Sequence, residues 1–413
     1  MRYWFGRLLD SQEKRSIDCM GRSEFSYHVP TKIIFGESKA ADVGSEAAKY
    51  GTRVMLVTTP WSDEQTADFQ RIVDSLDAGG LEVTRFEEVR SNPSLGDIEK
   101  GSQLARERKI EVMLGVGGGS SIDTAKAIAV GATHPGSPWD YVYVNNGKPD
   151  DRTLPIVAVT TTSGTGSHVT PYAVFTNDSD RVKSTIVDPV VFPKIAIVDP
   201  RLMFSMPKRL TAVTGFDAFT HAFESYVNVN SNRFVDSLAL QAIRDISEYL
   251  PRLMGNLDDQ EARNAMAYAD TLAGISIANV GTTLPHSMGQ PISGLYPRVA
   301  HGLSLALVYP GFFRLTHSSQ MSKFAQVARI WNSNLAEASD EEAAAASVGE
   351  LSSFLDKLEL VTSLDELGIP DSSLERIVDA SMECPDTYVN PRIPSRTEVR
   401  DIFLELWRRE KRS

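Results

Sequence analysis

Short apolar runs alternate with amphipathic segments through the first half of the chain, from Pro30 to about Pro200. The runs are rich in β-branched residues and predict strands, while the segments between them carry apolar positions at helical spacing. The predicted strands are Lys32–Phe35, Arg53–Thr58, Glu82–Phe86, Glu111–Val116, Pro155–Thr160 and Lys194–Asp199. Strands that alternate with helices predict a parallel sheet covered by helices, which is an α/β domain.

The hydrophobic pattern changes after Pro200, where the helical period dominates and no convincing strand interrupts it. The predicted helices are Asn232–Leu250, Gln260–Val280, Met321–Leu335, Glu341–Leu358, Ser372–Met382 and Thr397–Lys411. We therefore expect a disordered extension over residues 1–24, an α/β domain over 25–200 and an all-helical domain over 201–413.

Composition and charge restrict the class of protein. The 413 residues suggest more than one domain, and 42 basic against 54 acidic residues leave no basic surface for nucleic acid. No apolar run reaches the roughly 18 residues that a membrane span needs. Two cysteines, Cys19 and Cys384, exclude a disulfide framework. We expect a soluble cytoplasmic protein without nucleic-acid or membrane partners.

Two loops at predicted strand ends suit a phosphorylated ligand. Gly117–Gly118–Gly119–Ser120–Ser121 joins a strand to a helical segment, and its backbone N–H groups would attract phosphate. It is not a strict G-x-G-x-x-G fingerprint, and a tight turn without a ligand is the alternative. The second loop, Thr160–Ser167, offers hydroxyls to phosphate or ribose. Together the two loops favour a dinucleotide.

An acid and a histidine share one helical face in the segment Thr214–Glu224. Asp217 and His221 are four residues apart, a pair that is usually part of a solvated surface. With His286 and His301 they make one carboxylate and three imidazoles, a set that suits Fe²⁺ or Zn²⁺. Spacing alone leaves open whether the four residues converge.

These segments, with Pro30–Gly36, Ser91–Asn92–Pro93 and Asp199–Pro200, occur in the order found in iron-containing (group III) alcohol dehydrogenases. The chain is identified as a member of that family from about Phe25 to its C-terminus. The resemblance implies a Rossmann-like dinucleotide-binding domain, a helical domain and a divalent metal in the cleft between them, an architecture like that of dehydroquinate synthase. It also implies hydride transfer between NAD(P) and a small primary alcohol or aldehyde.

The resemblance assigns roles to individual residues. Asp217, His221, His286 and His301 match the metal ligands through which catalysis runs, with Fe²⁺ expected and Zn²⁺ as the alternative. The implied cofactor residues are Gly117, Gly118, Gly119, Ser120, Asp123, Thr161, Thr162, Thr165 and, more weakly, Lys183. A homodimer or a higher homo-oligomer is a further expectation.

Four residues depart from the family pattern or adjoin such a departure. Gln290 replaces a histidine that many relatives carry, and glutamine cannot titrate, so a proton must leave by another route. Thr59 replaces an aspartate of NAD-preferring relatives, which leaves NADPH open. His168 either faces the pocket or lies at the surface. Residues of the Gln290–Arg298 segment are expected to shape the substrate end of the site. Arg298 is a surface residue or else binds an anionic aldehyde.

Other activities remain as alternatives at this point. A maleylacetate reductase-like or glycerol dehydrogenase-like enzyme is one, and a catalytically silent nucleotide- or metal-binding protein is another. The complete ligand set and the phosphate loop argue against the silent protein.

Overall fold

The computed structural model describes residues 24–61 and 66–407. The predicted extension, except for Glu24, and the predicted helical residues after Trp407 lie outside this range, as does Cys19. Six parallel strands form one sheet in the spatial order β1-β8-β5-β4-β2-β3. They are β1 (Lys32–Phe35), β2 (Arg53–Val57), β3 (Glu82–Phe86), β4 (Val112–Gly117), β5 (Ile156–Thr160) and β8 (Ile195–Val198). Each predicted strand is confirmed to within one residue at either end.

Helices cover both faces of the sheet. They are α1 (Val43–Ala47), α2 (Thr66–Ala78), α3 (Leu95–Glu107) and α4 (Gly119–Thr133). Successive strand residues point to opposite faces, so Met55 packs with Ile128 of α4 while Leu56 packs with Ile72 of α2. Because both faces are buried, the central strands are almost continuously apolar.

An antiparallel hairpin, which the hydrophobic pattern did not predict, precedes the last strand. Its strands are β6 (Tyr172–Asn177) and β7 (Val182–Val187). The hairpin lies outside the main sheet and carries Lys183 on β7. It reaches the second half of the chain, because Gly294 packs directly against Lys183.

The rest of the described chain is helical, as predicted. Its helices are α5 (Lys208–Val227), α6 (Arg233–Gly255), α7 (Gln260–Val280), α8 (Leu284–Leu295), α9 (His301–Thr316), α10 (Met321–Trp331), α11 (Asp340–Lys357), α12 (Leu374–Glu383) and α13 (Arg396–Trp407). One apolar core joins them, with Phe219 and Phe223 of α5 packed around Tyr309 of α9. Among the described residues, no helix is both long enough and apolar enough to cross a bilayer.

Candidate metal and cofactor site

Helix α5 is buried on two sides that differ in chemistry. Phe216, Phe219 and Phe223 face the aromatic core. The opposite side carries Asp217 and His221, which are 3% and 6% exposed. The predicted acid/histidine pair therefore lies inside the protein, and the solvated helix face is wrong for this segment.

The other two histidines come from the starts of two later helices. His286 lies in the first turn of α8, and His301 is the first residue of α9. Gly302 allows α9 to approach α5 closely, because a Cβ atom there would lie 1.9 Å from the carbonyl oxygen of Val213. This contact brings Nε2 of His301 to 4.0 Å from Oδ1 of Asp217.

Asp217, His221 and His286 converge on one point, and His301 lies beside them. One ligand atom from each of Asp217, His221 and His286 lies within 4.8 Å of the others. The ring centroids of His286 and His301 are 5.2 Å apart. Oδ1 of Asp217 and Nε2 of His286 are buried without any hydrogen-bond partner among the described residues. Such atoms are costly to bury, and a divalent cation would satisfy them.

Hydrogen bonds on the far side of two rings hold their Nε2 atoms toward this point. Nδ1 of His221 lies 3.1 Å from the carbonyl oxygen of Gly164, and Nδ1 of His286 lies 2.8 Å from Oε1 of Glu224. Both contacts favour the tautomer that carries the proton on Nδ1 and leaves Nε2 free to bind a metal.

Glu224 is a candidate positioning residue that the sequence patterns did not single out. It is fully buried and also accepts hydrogen bonds from the backbone N–H of Thr283 at 2.7 Å and from the hydroxyl of Tyr309 at 3.3 Å. Its position seven residues after Asp217 places it on the same helical face, which is the signal that could have found it.

The electrostatics of the cluster suit a cation. Burial lowers the pKa of His286 to about 4 and lowers the pKa values of His221 and His301 well below the ordinary range, so these rings are neutral near pH 7, the state that can bind a metal. Burial also raises the pKa of Asp217, while the charge of Lys183 lowers it. One carboxylate and three neutral imidazoles fit Fe²⁺ or Zn²⁺.

The two predicted cofactor loops meet at the carboxyl ends of the paired strands β4 and β5. A Cβ atom on Gly119 would lie 2.6 Å from Cγ2 of Thr165, so only glycine allows this approach. Thr161 donates its backbone N–H to the carbonyl oxygen of Gly117 at 3.0 Å. Helix α4 begins at Gly119, and the N–H groups of its first turn have no intrahelical acceptors.

Thr59 lies near the same edge of the sheet. It follows the end of β2, and β2 pairs with β4. From β2 the chain first adds β3 on one side and then returns to add β4 on the other side, so the order of strand addition changes direction between β2 and β4. Open α/β sheets bind their ligands at such a point. The structure thus brings Thr59 and the glycine loop to neighbouring strand ends.

Asp123 is predicted to bind the cofactor, but its carboxylate is already engaged by the protein. One oxygen accepts a hydrogen bond from the hydroxyl of Ser167, and the other accepts the backbone N–H of Val174 at 3.2 Å. Asp123 therefore ties helix α4 to the hydroxyl loop and to strand β6.

Lys126, one turn further along α4, was not singled out from the sequence. It is fully buried, and its Nζ donates to the carbonyl oxygens of Ser167 and Tyr172 at 2.7 Å and of Thr170 at 2.9 Å. Burial lowers its pKa to about 8, and the charge of Asp123 opposes that change. Lys126 thus anchors the segment that follows Thr161–Thr165.

Lys183 is affected by charges of both the Asp217/histidine cluster and the predicted cofactor region. Its Nζ donates to Oδ1 of Asn92 at 3.2 Å, and the amide of Asn92 donates to the carbonyl oxygen of Pro297 at 2.8 Å. Burial lowers the pKa of Lys183, whereas the charges of Asp217 and Asp123 raise it. The ammonium group of Lys183 therefore interacts electrostatically with both Asp217 and Asp123.

The three predicted substrate residues have different surroundings. His168 is fully buried, with Nε2 3.0 Å from the hydroxyl of Thr271, so the surface position is wrong and the enclosed ring cannot touch a substrate without movement of its neighbours. Gln290 is half-buried on α8. Arg298 is exposed, and its guanidinium donates to the carbonyl oxygens of Leu367 and Gly368.

Comparisons with known proteins identify the family of the chain. The family model for iron-containing alcohol dehydrogenase matches residues 30–200, and the model for the C-terminal part of that family matches residues 211–407. A choline dehydrogenase from Bacillus subtilis (strain 168) is 35% identical over 89% of this chain and 91% of its own length. An NAD-dependent methanol dehydrogenase from Bacillus methanolicus is 31% identical over 92% and 98%.

A solved structure has the same architecture. The crystal structure of an alcohol dehydrogenase from an archaeal halo-thermophile of a Red Sea brine pool superimposes with a TM-score of 0.88 at 33% identity. The match covers 93% of this chain and 99% of the other. Fold, clustered ligands and relatives lead to one assignment: the chain belongs to the iron-containing alcohol dehydrogenase family and is an NAD(P)-dependent oxidoreductase of alcohols and aldehydes.

Proposed function

We propose that Asp217, His221, His286 and His301 together hold one divalent iron, and that the enzyme interconverts small primary alcohols and aldehydes at this centre. The main support for this proposal is that Oδ1 of Asp217 and Nε2 of His286 are buried without hydrogen-bond partners among the described residues. Nδ1 of His286, in contrast, is held by the carboxylate of Glu224. Iron bound there supplies Lewis acidity toward the oxygen of the alcohol or aldehyde.

The chain's own groups position the second reactant. Gly117–Ser120 and the N-terminus of α4 receive the pyrophosphate of the cofactor, and Thr161, Thr162 and Thr165 bind it from the opposite loop. Lys183 approaches the ribose next to the nicotinamide. Gln290 cannot titrate, so it would not accept the proton of the alcohol, which would leave by a route that does not include this side chain.

The substrate class is supported by the relatives. Their names give choline and methanol as substrates, and both molecules are small primary alcohols. In this proposal Gln290 and Arg298 line the entrance rather than the reacting centre. Arg298 would recognise an anionic aldehyde only if it released the carbonyl oxygens of Leu367 and Gly368.

Homodimerisation through strand β1 is part of the same proposal. β1 is an edge strand, and it leaves Ile33 36% and Phe35 39% exposed. Exposed apolar edge strands pair readily with another copy. Light scattering on the protein and on Phe35→Lys tests this, since a monomeric wild type would contradict it.

A cytoplasmic location and a domain boundary at residues 199–201 remain predictions.

Substitution of one ligand tests the proposed site. His286→Ala should lose bound iron and turnover with a panel of alcohols and aldehydes, while NADH binding measured by fluorescence persists because the cofactor loops are intact. His317→Ala, at a half-buried histidine that follows α9, is the matched control. Full turnover by His286→Ala would exclude His286 as a ligand.

A further inference from the structure

A carboxylate beside the metal cluster has no role in the arrangement described above. Asp386 lies in the 3₁₀ turn Pro385–Val389, which follows α12. Its Oδ2 accepts a hydrogen bond from the hydroxyl of Thr282 at 2.6 Å, and Thr282 lies four residues before His286. Its other oxygen has no hydrogen bond to any residue in the described ranges 24–61 and 66–407. One face of this carboxylate is therefore left available.

Asp386 also lacks a counter-ion. Throughout the described part of the chain, no lysine, arginine or histidine nitrogen lies within 4.0 Å of its carboxylate. Burial raises the pKa of Asp386, the hydroxyl of Thr282 and the neighbouring His286 lower it, and the carboxylate of Glu224 raises it. An acid that is half-buried without a cation costs free energy that a positively charged ligand would recover.

The charge of Asp386 acts on two tyrosines, Tyr143 and Tyr172. Burial, and then the charge of Asp386, raises the pKa of Tyr172, and burial, Cys384 and Asp386 raise that of Tyr143. The hydroxyl of Tyr172 donates to the carbonyl oxygen of Ile277 at 2.8 Å, so this hydroxyl does not bind Asp386. Aromatic rings beside a carboxylate are a combination that recognises ammonium groups.

The neighbouring thiol adds no competing charge. Burial raises the pKa of Cys384 to about 12, so it stays protonated at neutral pH. It also interacts with Ser287 on α8 and with Tyr143. These contacts fix the turn of Asp386 against the helix that carries His286.

We propose that Asp386 binds the positive charge of the substrate, so that this enzyme acts on cationic primary alcohols, either amino alcohols or quaternary ammonium alcohols. The proposal rests on the function proposed above and names the substrate class of that site. In this proposal the hydroxyl end of the substrate is directed to Asp217 and the histidines, and the cationic end is directed to Asp386. In the reaction, a hydride passes from the carbinol carbon to NAD⁺, the hydroxyl proton goes to solvent, and the cationic group is unchanged.

A matched pair of substrates tests this inference. Choline and 3,3-dimethylbutan-1-ol have nearly the same shape, but only choline is charged. With the iron-loaded enzyme and NAD⁺, kcat/KM should favour choline by about 10- to 100-fold, the effect of one charge-assisted contact. Asp386→Asn should reduce that ratio by a similar factor. Asp401→Asn, at an exposed position on α13, should leave the ratio unchanged.

A binding measurement without added iron provides a second readout. Tetramethylammonium titrated by calorimetry should bind the wild type and bind Asp386→Asn at least about tenfold more weakly. Equal or better turnover of 3,3-dimethylbutan-1-ol or of an anionic alcohol by the wild type would overturn the role of Asp386 and leave the proposed dehydrogenase intact. If the wild type oxidised no alcohol at all, the proposed function would fail as well.

Discussion

The carboxylate of Glu224 lies 2.8 Å from Nδ1 of His286 and is fully buried. The same carboxylate accepts the backbone N–H of Thr283, so it fixes both the ring of His286 and the start of the helix that carries it. Residues that orient a metal ligand in this way govern metal affinity although they do not touch the metal.

Glu224→Gln should weaken metal binding. The amide has one acceptor oxygen in place of two, so it cannot satisfy His286 and Thr283 together. We expect iron and zinc affinity, measured by competition with a chelator, to fall by about 10- to 100-fold. Glu341→Gln on the exposed side of α11 is the control. An unchanged affinity would show that Glu224 does not orient the ligand.

Lys126→Met should destabilise the protein and weaken cofactor binding. The apolar side chain leaves three carbonyl oxygens without their donor and leaves Asp123 without its nearby cation. Loss of one partner from such a buried arrangement costs about 3–5 kcal/mol, which urea unfolding would measure. NADH affinity should fall because the hydroxyl loop loses its anchor. Lys357→Met, at an exposed position, should change neither quantity.

His168 should make stability depend on pH in a defined direction. Burial lowers its pKa to about 3, so between pH 3 and the ordinary value near 6.5 the unfolded chain binds a proton that the folded protein does not. The contribution of His168 to the free energy of unfolding therefore falls as the pH falls from 6.5 to 3. The difference in unfolding free energy between wild type and His168→Gln should shrink by about 2 kcal/mol from pH 7 to pH 5. A constant difference would contradict the lowered pKa.

Thr59→Asp should select against NADPH. A carboxylate at the end of β2 would lie near the adenine ribose of the proposed cofactor pose and repel a 2′-phosphate. We expect the ratio of kcat/KM with NADPH to that with NADH to fall by about 10- to 100-fold. Thr397→Asp on α13 serves as the control. An unchanged ratio would place the adenine ribose elsewhere.

The parallel sheet could be predicted because its strands are buried on both faces. Runs such as Val112–Gly117 are continuously apolar, and each ends in a residue type that breaks the pattern. The hairpin of β6 and β7 could not be predicted from its own residues. It is held by distant groups, since Lys126 binds the carbonyl oxygen of Tyr172 and Asp123 binds the N–H of Val174.

Only part of the candidate site could be predicted from local sequence patterns. Asp217 and His221 share a helical face, and Glu224 could have been added from the same period. The approach of His301 depends on the contact between Gly302 and Val213, which no local pattern reveals. Asp386 reaches Thr282 across 104 residues of sequence, so only the folded chain brings its charge near His286.

The hydrogen bond from His221 to the carbonyl oxygen of Gly164 connects the proposed metal site with the proposed cofactor site. Gly164 belongs to the loop proposed to bind the cofactor, and His221 belongs to the cluster proposed to bind iron. The two binding events are thereby linked through one peptide group. Whatever factor iron contributes to the affinity for NAD(P), the cofactor must contribute equally to the affinity for iron, because such coupling is reciprocal.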